Sequence, residues 1–334
     1  MIKVFECGQG DSAYIEELNL LVDLGKNEIS PTFPDDKIDV MVTHSHNDHV
    51  MGVKLANYSI NKLFLPAYLP ECLAIINKLR NRNIYVFNQN IELVYEGKQL
   101  YQKKITVLNP PLAPWDYWDE VDAVTPEDVN SMLSELGFSI DTFLEELNRE
   151  FKDHFPIVNI DSTIDGNTTY NPVLFAKNLL KVIAYYYKSN HDIDKAVKSF
   201  LYEDANVLSI VFSYTNNGCT HLFTGDVYKA QFVRINNTNS NALACDFLKV
   251  PHHGSKHSLD NEVLQMMQPK AAVVSHNNRR FGRAKDTHPN KEVVDLFYPN
   301  SNIMLYSTND IIKSGITTLS KHVGQIPGFD VVIE

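Results

Sequence analysis

Short apolar runs broken by polar or glycine-containing segments occupy the first third of the chain. Segments 2–6, 13–17, 20–22, 40–43, 62–65, 84–87, 91–95 and 105–108 have the length and β-branched content of strands. Helical spacing appears near 50–56 and 71–81. From about residue 113 the period changes. Thr125-Pro126-Glu127-Asp128 supplies an N-cap, a first-position proline and early acids, and Val129, Met132, Leu133 and Leu136 follow at helical spacing. Segments 143–151 and 173–187 continue in that style, with Tyr185-Tyr186-Tyr187 and the nearby Trp115 and Trp118 expected to pack this helical region. Strand-like runs return at 207–212, 221–224, 247–250, 271–274, 303–306 and 331–333, and helical ones at 227–233, 261–267 and 290–297. The pattern predicts an α/β protein divided into 1–111, a helical insertion over 112–205, and 206–334.

Composition narrows the function classes. The chain has 334 residues, 44% hydrophobic and 21% charged, which excludes disordered, collagen-like and coiled-coil proteins. Its net charge of −11 does not suit a non-specific nucleic-acid coat. That charge is localised: residues 113–205 hold 18 acidic and 7 basic side chains, and the remainder balances to zero. The insertion is therefore the candidate docking surface for a protein partner, and the acidity says little about what the rest of the chain binds. Cys7, Cys72, Cys219 and Cys245 are scattered without a CxxC pair, as buried thiols of a cytoplasmic protein would be. The first residues lack a signal peptide's succession, and the longest apolar stretch, 173–187, carries lysines, so no membrane association is expected.

Candidate chemistry clusters where apolar runs end. His44-Ser45-His46-Asn47-Asp48-His49 follows Asp39-Val40-Met41-Val42-Thr43 directly. Three histidines and an aspartate within six residues at a strand end suit two adjacent divalent ions, zinc or manganese, which accept imidazole nitrogen and carboxylate oxygen. Two such ions roughly 3.5–4 Å apart can share a hydroxide and polarise one substrate oxygen. Leu222-Phe223-Thr224-Gly225-Asp226 and Phe247-Leu248-Lys249-Val250-Pro251-His252-His253-Gly254-Ser255 also end in ligand types, where α/β sheets build their sites. Asp226 reads both as a ligand and as the N-cap of the helix that follows.

HSHNDH, then GD, then PHHGS, in that order, resemble the metallo-β-lactamase fold superfamily. The ComEC-type branch, named for the hydrolase domain of a DNA-uptake channel, is more similar still. Gly8-Gln9-Gly10-Asp11-Ser12, Asn206-Val207-Leu208-Ser209-Ile210-Val211, Pro269-Lys270-Ala271-Ala272-Val273-Val274-Ser275 and His288-Pro289 carry that likeness. The resemblance implies a four-layer αββα sandwich interrupted by the helical insertion. It implies one metal on His44 and His46, a second on Asp48, His49 and His253, and Asp226 bridging, with Asp11 and Asn206 behind the ligands. Many superfamily members supply a further histidine to the first metal from between the first motif and the Gly-Asp strand. Here only His154, His191 and His221 lie in that interval, none in a recognisable motif.

The same resemblance implies a metallo-hydrolase, with Asp48 at the reacting centre and His252 or His288 assisting the leaving oxygen. Phosphodiesters of nucleic acids or nucleotides are the expected substrates because Arg279, Arg280 and Arg283 concentrate beyond the strand that ends at Ser275. Lys249 and Lys256, with Ser255, flank the histidine pair, and arginine forks match phosphate oxygens. Carboxylic esters, lactones or phosphocholine-type esters are the rival substrates. A weakly active module that docks a partner through the insertion is the rival class.

Overall fold

The computed structural model describes residues 1–55, 57–82, 90–154, 170–203, 205–278, 287–298, 302–311 and 319–334. Two sheets face each other. The first contains β1 (Ile2–Val4), β2 (Ala13–Ile15), β3 (Leu20–Val22), β4 (Lys37–Met41), β5 (Ser59–Pro66) and β6 (Ile91–Val94). The second contains β7 (Gln99–Leu100), β8 (Ile105–Asn109), β9 (Val211–Asn216), β10 (Cys219–Phe223), β11 (Phe247–Lys249), β12 (Ala271–Val274) and β13 (Met304–Ser307). β14 (Gly324–Gln325) and β15 (Val331–Ile333) return to the first sheet, giving the order β14-β15-β1-β2-β3-β4-β5-β6 against β13-β12-β11-β10-β9-β8-β7. The proposed strand 84–87 lies outside the described residues.

The alternation of side chains along each strand creates the layers. Leu20, Val22, Met41, Ala271 and Val273 point between the sheets, where they meet Phe212, Phe223 and Phe247. Leu21 and Val40 face outward beneath Phe33, Val53 and Leu69. Ala272 and Val274 face outward beneath α7 (Lys229–Thr238), α8 (Asn261–Met267) and α9 (Lys291–Phe297). Strands buried on both faces read as unbroken apolar runs. The four-layer αββα expectation is borne out.

Local chemistry explains where the elements depart from the sequence pattern. The strand expected over 207–212 begins only at Val211, because the Asn109 Nδ2 donates to the carbonyls of Val207 and Ser209 at 2.8 and 2.7 Å and draws residues 205–208 into a short 3-10 turn. β9 then runs on to an Asn217-Gly218 turn, both residues at positive φ, which pairs it antiparallel with β10. In place of a helix over 50–56, α1 (Asn47–Val50) is a single turn inside the histidine motif. The helix expected at 227 starts at Lys229 with Tyr228 as its cap, which frees Asp226 from that role.

Between β8 and β9 the chain forms α3 (Pro126–Glu135), α4 (Ile140–His154), α5 (Pro172–Asn190) and α6 (Ile193–Glu203). Thr125 and Asp128 close a reciprocal capping box on α3. Phe143, Leu147, Phe175, Ile183 and Phe200 pack with Ile75, Ile76 and Leu79 of α2 (Leu69–Leu79), so these helices share one core with α2. Trp118 and Tyr187 are buried there. Among the described residues no helix is long and apolar enough to cross a membrane.

Candidate metal centre

Three chain segments leave the sheets at one edge and converge. After β4, Thr43 turns its amide to the Asp23 carboxylate (2.7 Å), and the single turn of α1 folds Asp48 and His49 back beside His44. After β10, Gly225 takes φ 50°, and a Cβ there would meet the Ser209 Cβ at 3.0 Å. After β11, His252 and His253 both adopt left-handed backbone, φ 47° and 52°, and the His252 amide donates to the Gly225 carbonyl at 3.1 Å. Asp226 sits at the meeting point. Its Oδ2 lies 3.7 Å from His44 Nε2, 3.4 Å from His49 Nε2 and 3.6 Å from His253 Nε2. Asp48 Oδ2 lies 3.7 Å from His253 Nε2. The potential ligand atoms form a His44/His46/Asp226 group and an Asp48/His49/His253 group, with a third, Asp11/His49/Asp226, overlapping both, each with all atoms within 4.8 Å of one another.

Each imidazole of the cluster has one nitrogen engaged by the protein. Thr43 Oγ1 donates to Asp23 Oδ2 (2.7 Å) and so accepts from His44 Nδ1 at 3.1 Å. His49 Nδ1 donates to Asp23 Oδ2 at 2.8 Å, and His253 Nδ1 donates to the Ser275 carbonyl at 3.1 Å. His46 Nε2 donates to the Leu201 carbonyl of α6 at 2.5 Å. The opposite nitrogens of His44, His49 and His253, and Asp226 Oδ1, are buried without a hydrogen-bond partner. Buried polar atoms left this way carry a penalty of about 1–3 kcal/mol each, which a cation removes. Outer hydrogen bonds that fix the tautomer are how proteins prepare imidazoles for a metal.

The electrostatics agree. Burial, reinforced by the neighbouring His49, holds His44 well below the ordinary histidine value, so its ring is neutral. Burial likewise holds His252 at about 4, against the pull of Asp226. At His49 burial also disfavours charge, but the Asp226 and Asp23 carboxylates override it and hold the ring well above its ordinary value. The imidazoles of His49, His252 and His253 keep Asp226 well below the carboxylate range despite its burial.

The cluster floors a cleft of about 850 Å³. Ser45, Asp48, Asn206, His252, Ser255, Lys256, His257, His288 and Asn290 line it, facing Leu73, Ile76 and Asn77 of α2, Arg80 at its C-terminal cap, and Leu201 and Tyr202 of α6. Lys256 reaches Glu292 at 3.0 Å on the rim. The ring centroids of His288 and His252 stand 5.5 Å apart. Asp11 lies behind the ligands, accepting from Lys249 Nζ at 2.6 Å and standing 3.6 Å from His253 Nδ1. Lys249 is thus a buried partner of Asp11. Asn206, expected behind the ligands, lines the cleft itself. Arg279, Arg280 and Arg283 lie outside the described residues. His221 of β10 stacks against Tyr214 of β9 and is not among the clustered groups.

Sequence reasoning passed over Asp23, although Leu20-Leu21-Val22-Asp23 has the apolar-run-then-acid signature that singled out Asp226. Arg80, Tyr202 and the Leu201 carbonyl carried no such signal, because only tertiary packing brings α2 and α6 over the cleft.

A 98-residue stretch of the chain is 37% identical to ComE operon protein 3 of Bacillus subtilis (strain 168). It takes in 29% of this chain and 12% of that protein, so the chain matches only a small part of the relative's length. This similarity bears out the ComEC-type resemblance. Among solved structures, a metal-dependent hydrolase of the beta-lactamase superfamily superposes with a TM-score of 0.41 at 11% identity, covering 92% of this chain and 94% of its own. A metallo-beta-lactamase superfamily chain from Thermotoga maritima gives 0.33 at 10%, covering 92% and 99%. No family model matches the chain.

Proposed function

We propose that this metallo-β-lactamase-fold protein is a metal-dependent hydrolase that cleaves phosphodiesters in nucleic acids or nucleotide-containing molecules. The observation that carries the metal dependence is the set of oriented imidazoles, each with one nitrogen fixed by the protein, converging on the buried Asp226 carboxylate. His44 and His46 would hold one divalent ion, Asp48, His49 and His253 the other, with Asp226 between them. Bound there, two such ions supply a water of lowered pKa and polarise the oxygen of the attacked centre.

The protein's own groups do the rest. Among the described residues Arg80 and Lys256 are the cations lining the cleft, and Asn77, Asn290 and His257 add polar groups, a combination that matches phosphate oxygens. Tyr202 and Tyr228 offer flat faces on which a base can stack. His252, neutral at pH 7, cannot serve as a charged acid, but it can donate one N–H as a hydrogen bond to the departing oxygen. His288 stands beside it for the same oxygen. α6 and α2 wall the cleft and limit water around the scissile bond.

The test is a substrate panel of DNA, RNA, cyclic dinucleotides and a generic phosphodiester beside lactones and carboxylic esters, with manganese and with zinc. Asp48→Asn and Asp226→Asn serve as controls. Phosphodiester turnover should fall at least about 10³-fold in both variants while the far-UV circular dichroism is kept. Turnover of lactones alone, or undiminished cleavage by both variants, would refute the proposal.

A further inference from the structure

Among the described residues the first ion's side of the centre offers two histidines, His44 and His46, and the structure shows what stands beside them. Asn206 lies in the short turn of residues 205–208 immediately before β9, 1% exposed, lining the cleft together with His46 and Asp226. This turn is tied to the first histidine motif, since the Ile210 amide donates to the Thr43 carbonyl at 3.0 Å. The amide's orientation is fixed. The Tyr228 hydroxyl donates to the Tyr202 carbonyl at 3.4 Å, so its lone pairs accept from Asn206 Nδ2 at 3.2 Å. That leaves Asn206 Oδ1 as the free end of the side chain, and it is buried without a hydrogen-bond partner. A buried amide oxygen left unpaired on the wall of a metal cleft needs an explanation.

We propose that Asn206 Oδ1 is a ligand of the ion held by His44 and His46, and that the two ions are consequently bound unequally. This rests on the metal-centre reading above. A neutral amide oxygen is a harder and weaker donor than imidazole, and it suits manganese better than zinc. The opposite side has two imidazoles and the Asp48 carboxylate. That side therefore fills first and holds either metal. The His44/His46/Asn206 side fills second, releases its ion readily and discriminates for Mn²⁺.

The experiment is equilibrium dialysis of the chelator-stripped full chain against Mn²⁺ and, separately, Zn²⁺, with bound metal counted elementally and Mn²⁺ also by electron paramagnetic resonance. The wild type should bind two Mn²⁺ in two classes at least about tenfold apart. Asn206→Leu should bind one, in the tighter class. Asn206→Asp keeps an oxygen donor but loses the Nδ2 donor to Tyr228; it should restore two ions, the weaker class now tightened. Asn206→His should tighten Zn²⁺ in the weaker class more than Mn²⁺. Thermal melts of the metal-free variants report folding separately. Two ions retained by Asn206→Leu would overturn the assignment, as would Asn206→Asp behaving like Asn206→Leu, or loss of the weaker ion on His252→Leu but not on Asn206→Leu. A wild type that binds no metal would instead refute the metal centre as a whole.

Discussion

Glu71 offers the sharpest quantitative check on the packing between α2 and the helical insertion. Its carboxylate is 4% exposed. One oxygen accepts from the Tyr170 hydroxyl, and the other has no hydrogen-bond partner. Burial pushes the carboxyl from the ordinary 4.5 up to about 7. A carboxyl that is harder to ionise when folded stabilises the fold below its unfolded value, and that stability is lost as pH rises through the folded one. At 1.36 kcal/mol per pH unit, the interval from 4.5 to 7 amounts to about 3 kcal/mol. Glu71→Gln keeps the carbonyl that accepts from Tyr170 and cannot ionise. Its extra N–H group, buried without a partner, costs about 1–3 kcal/mol, but at every pH alike. The diagnostic quantity is therefore the change with pH of the stability difference between the two proteins. Urea unfolding is followed by tryptophan fluorescence, since Trp118 is buried in the same cluster. Between pH 5 and 8.5 the wild type should lose about 2.5 kcal/mol relative to Glu71→Gln, because part of the full effect is already lost by pH 5. A difference that stays constant within about 0.5 kcal/mol, or that moves the other way, would refute the reasoning.

Three further expectations follow from the centre and its supports. Gly10→Ala would place a Cβ 2.2 Å from the Asp48 carbonyl oxygen and 2.5 Å from the Lys26 amide nitrogen, both backbone atoms. It should cost about 1–3 kcal/mol in urea unfolding and lower bound metal in elemental analysis. Lys249→Met leaves Asp11 buried without its cation and should destabilise by about 3–5 kcal/mol; adding Asp11→Asn should recover much of that loss. Metal uptake should release protons, because His49 is held well above its ordinary value by Asp226 and Asp23 and must be neutral to ligate. Calorimetry in two buffers of different ionisation enthalpy should then show proton release at pH 7 and weaker binding at pH 6 than at pH 8.

The sequence made much of this architecture legible, for identifiable reasons. Strands buried on both faces, such as 20–22 and 271–274, leave unbroken apolar runs, and ligand residues concentrate where those runs stop. His44, His46, Asp48, His49, Asp226 and His253 could therefore be placed as one set, and the structure brings them together. The turn at 205–208 could not be read, because Val207, Leu208 and Ile210 look like strand residues, and the groups that bend them, the Asn109 side chain above all, lie about a hundred positions away. α6 and the Leu201 carbonyl were invisible because a backbone acceptor has no residue signature.

The contact from His46 Nε2 to the Leu201 carbonyl makes different parts of the insertion unequally tolerant of change. Sliding α6 by a single residue would advance it about 1.5 Å and swing the facing carbonyl through about 100°, carrying the acceptor out of reach of the ring. Connections between the outer helices can therefore lengthen or shorten without touching the floor of the cleft, whereas the interval between Leu201 and Asn206 is a ruler. A deletion of one residue there should disarm the protein more thoroughly than the removal of several residues elsewhere in the same helical region.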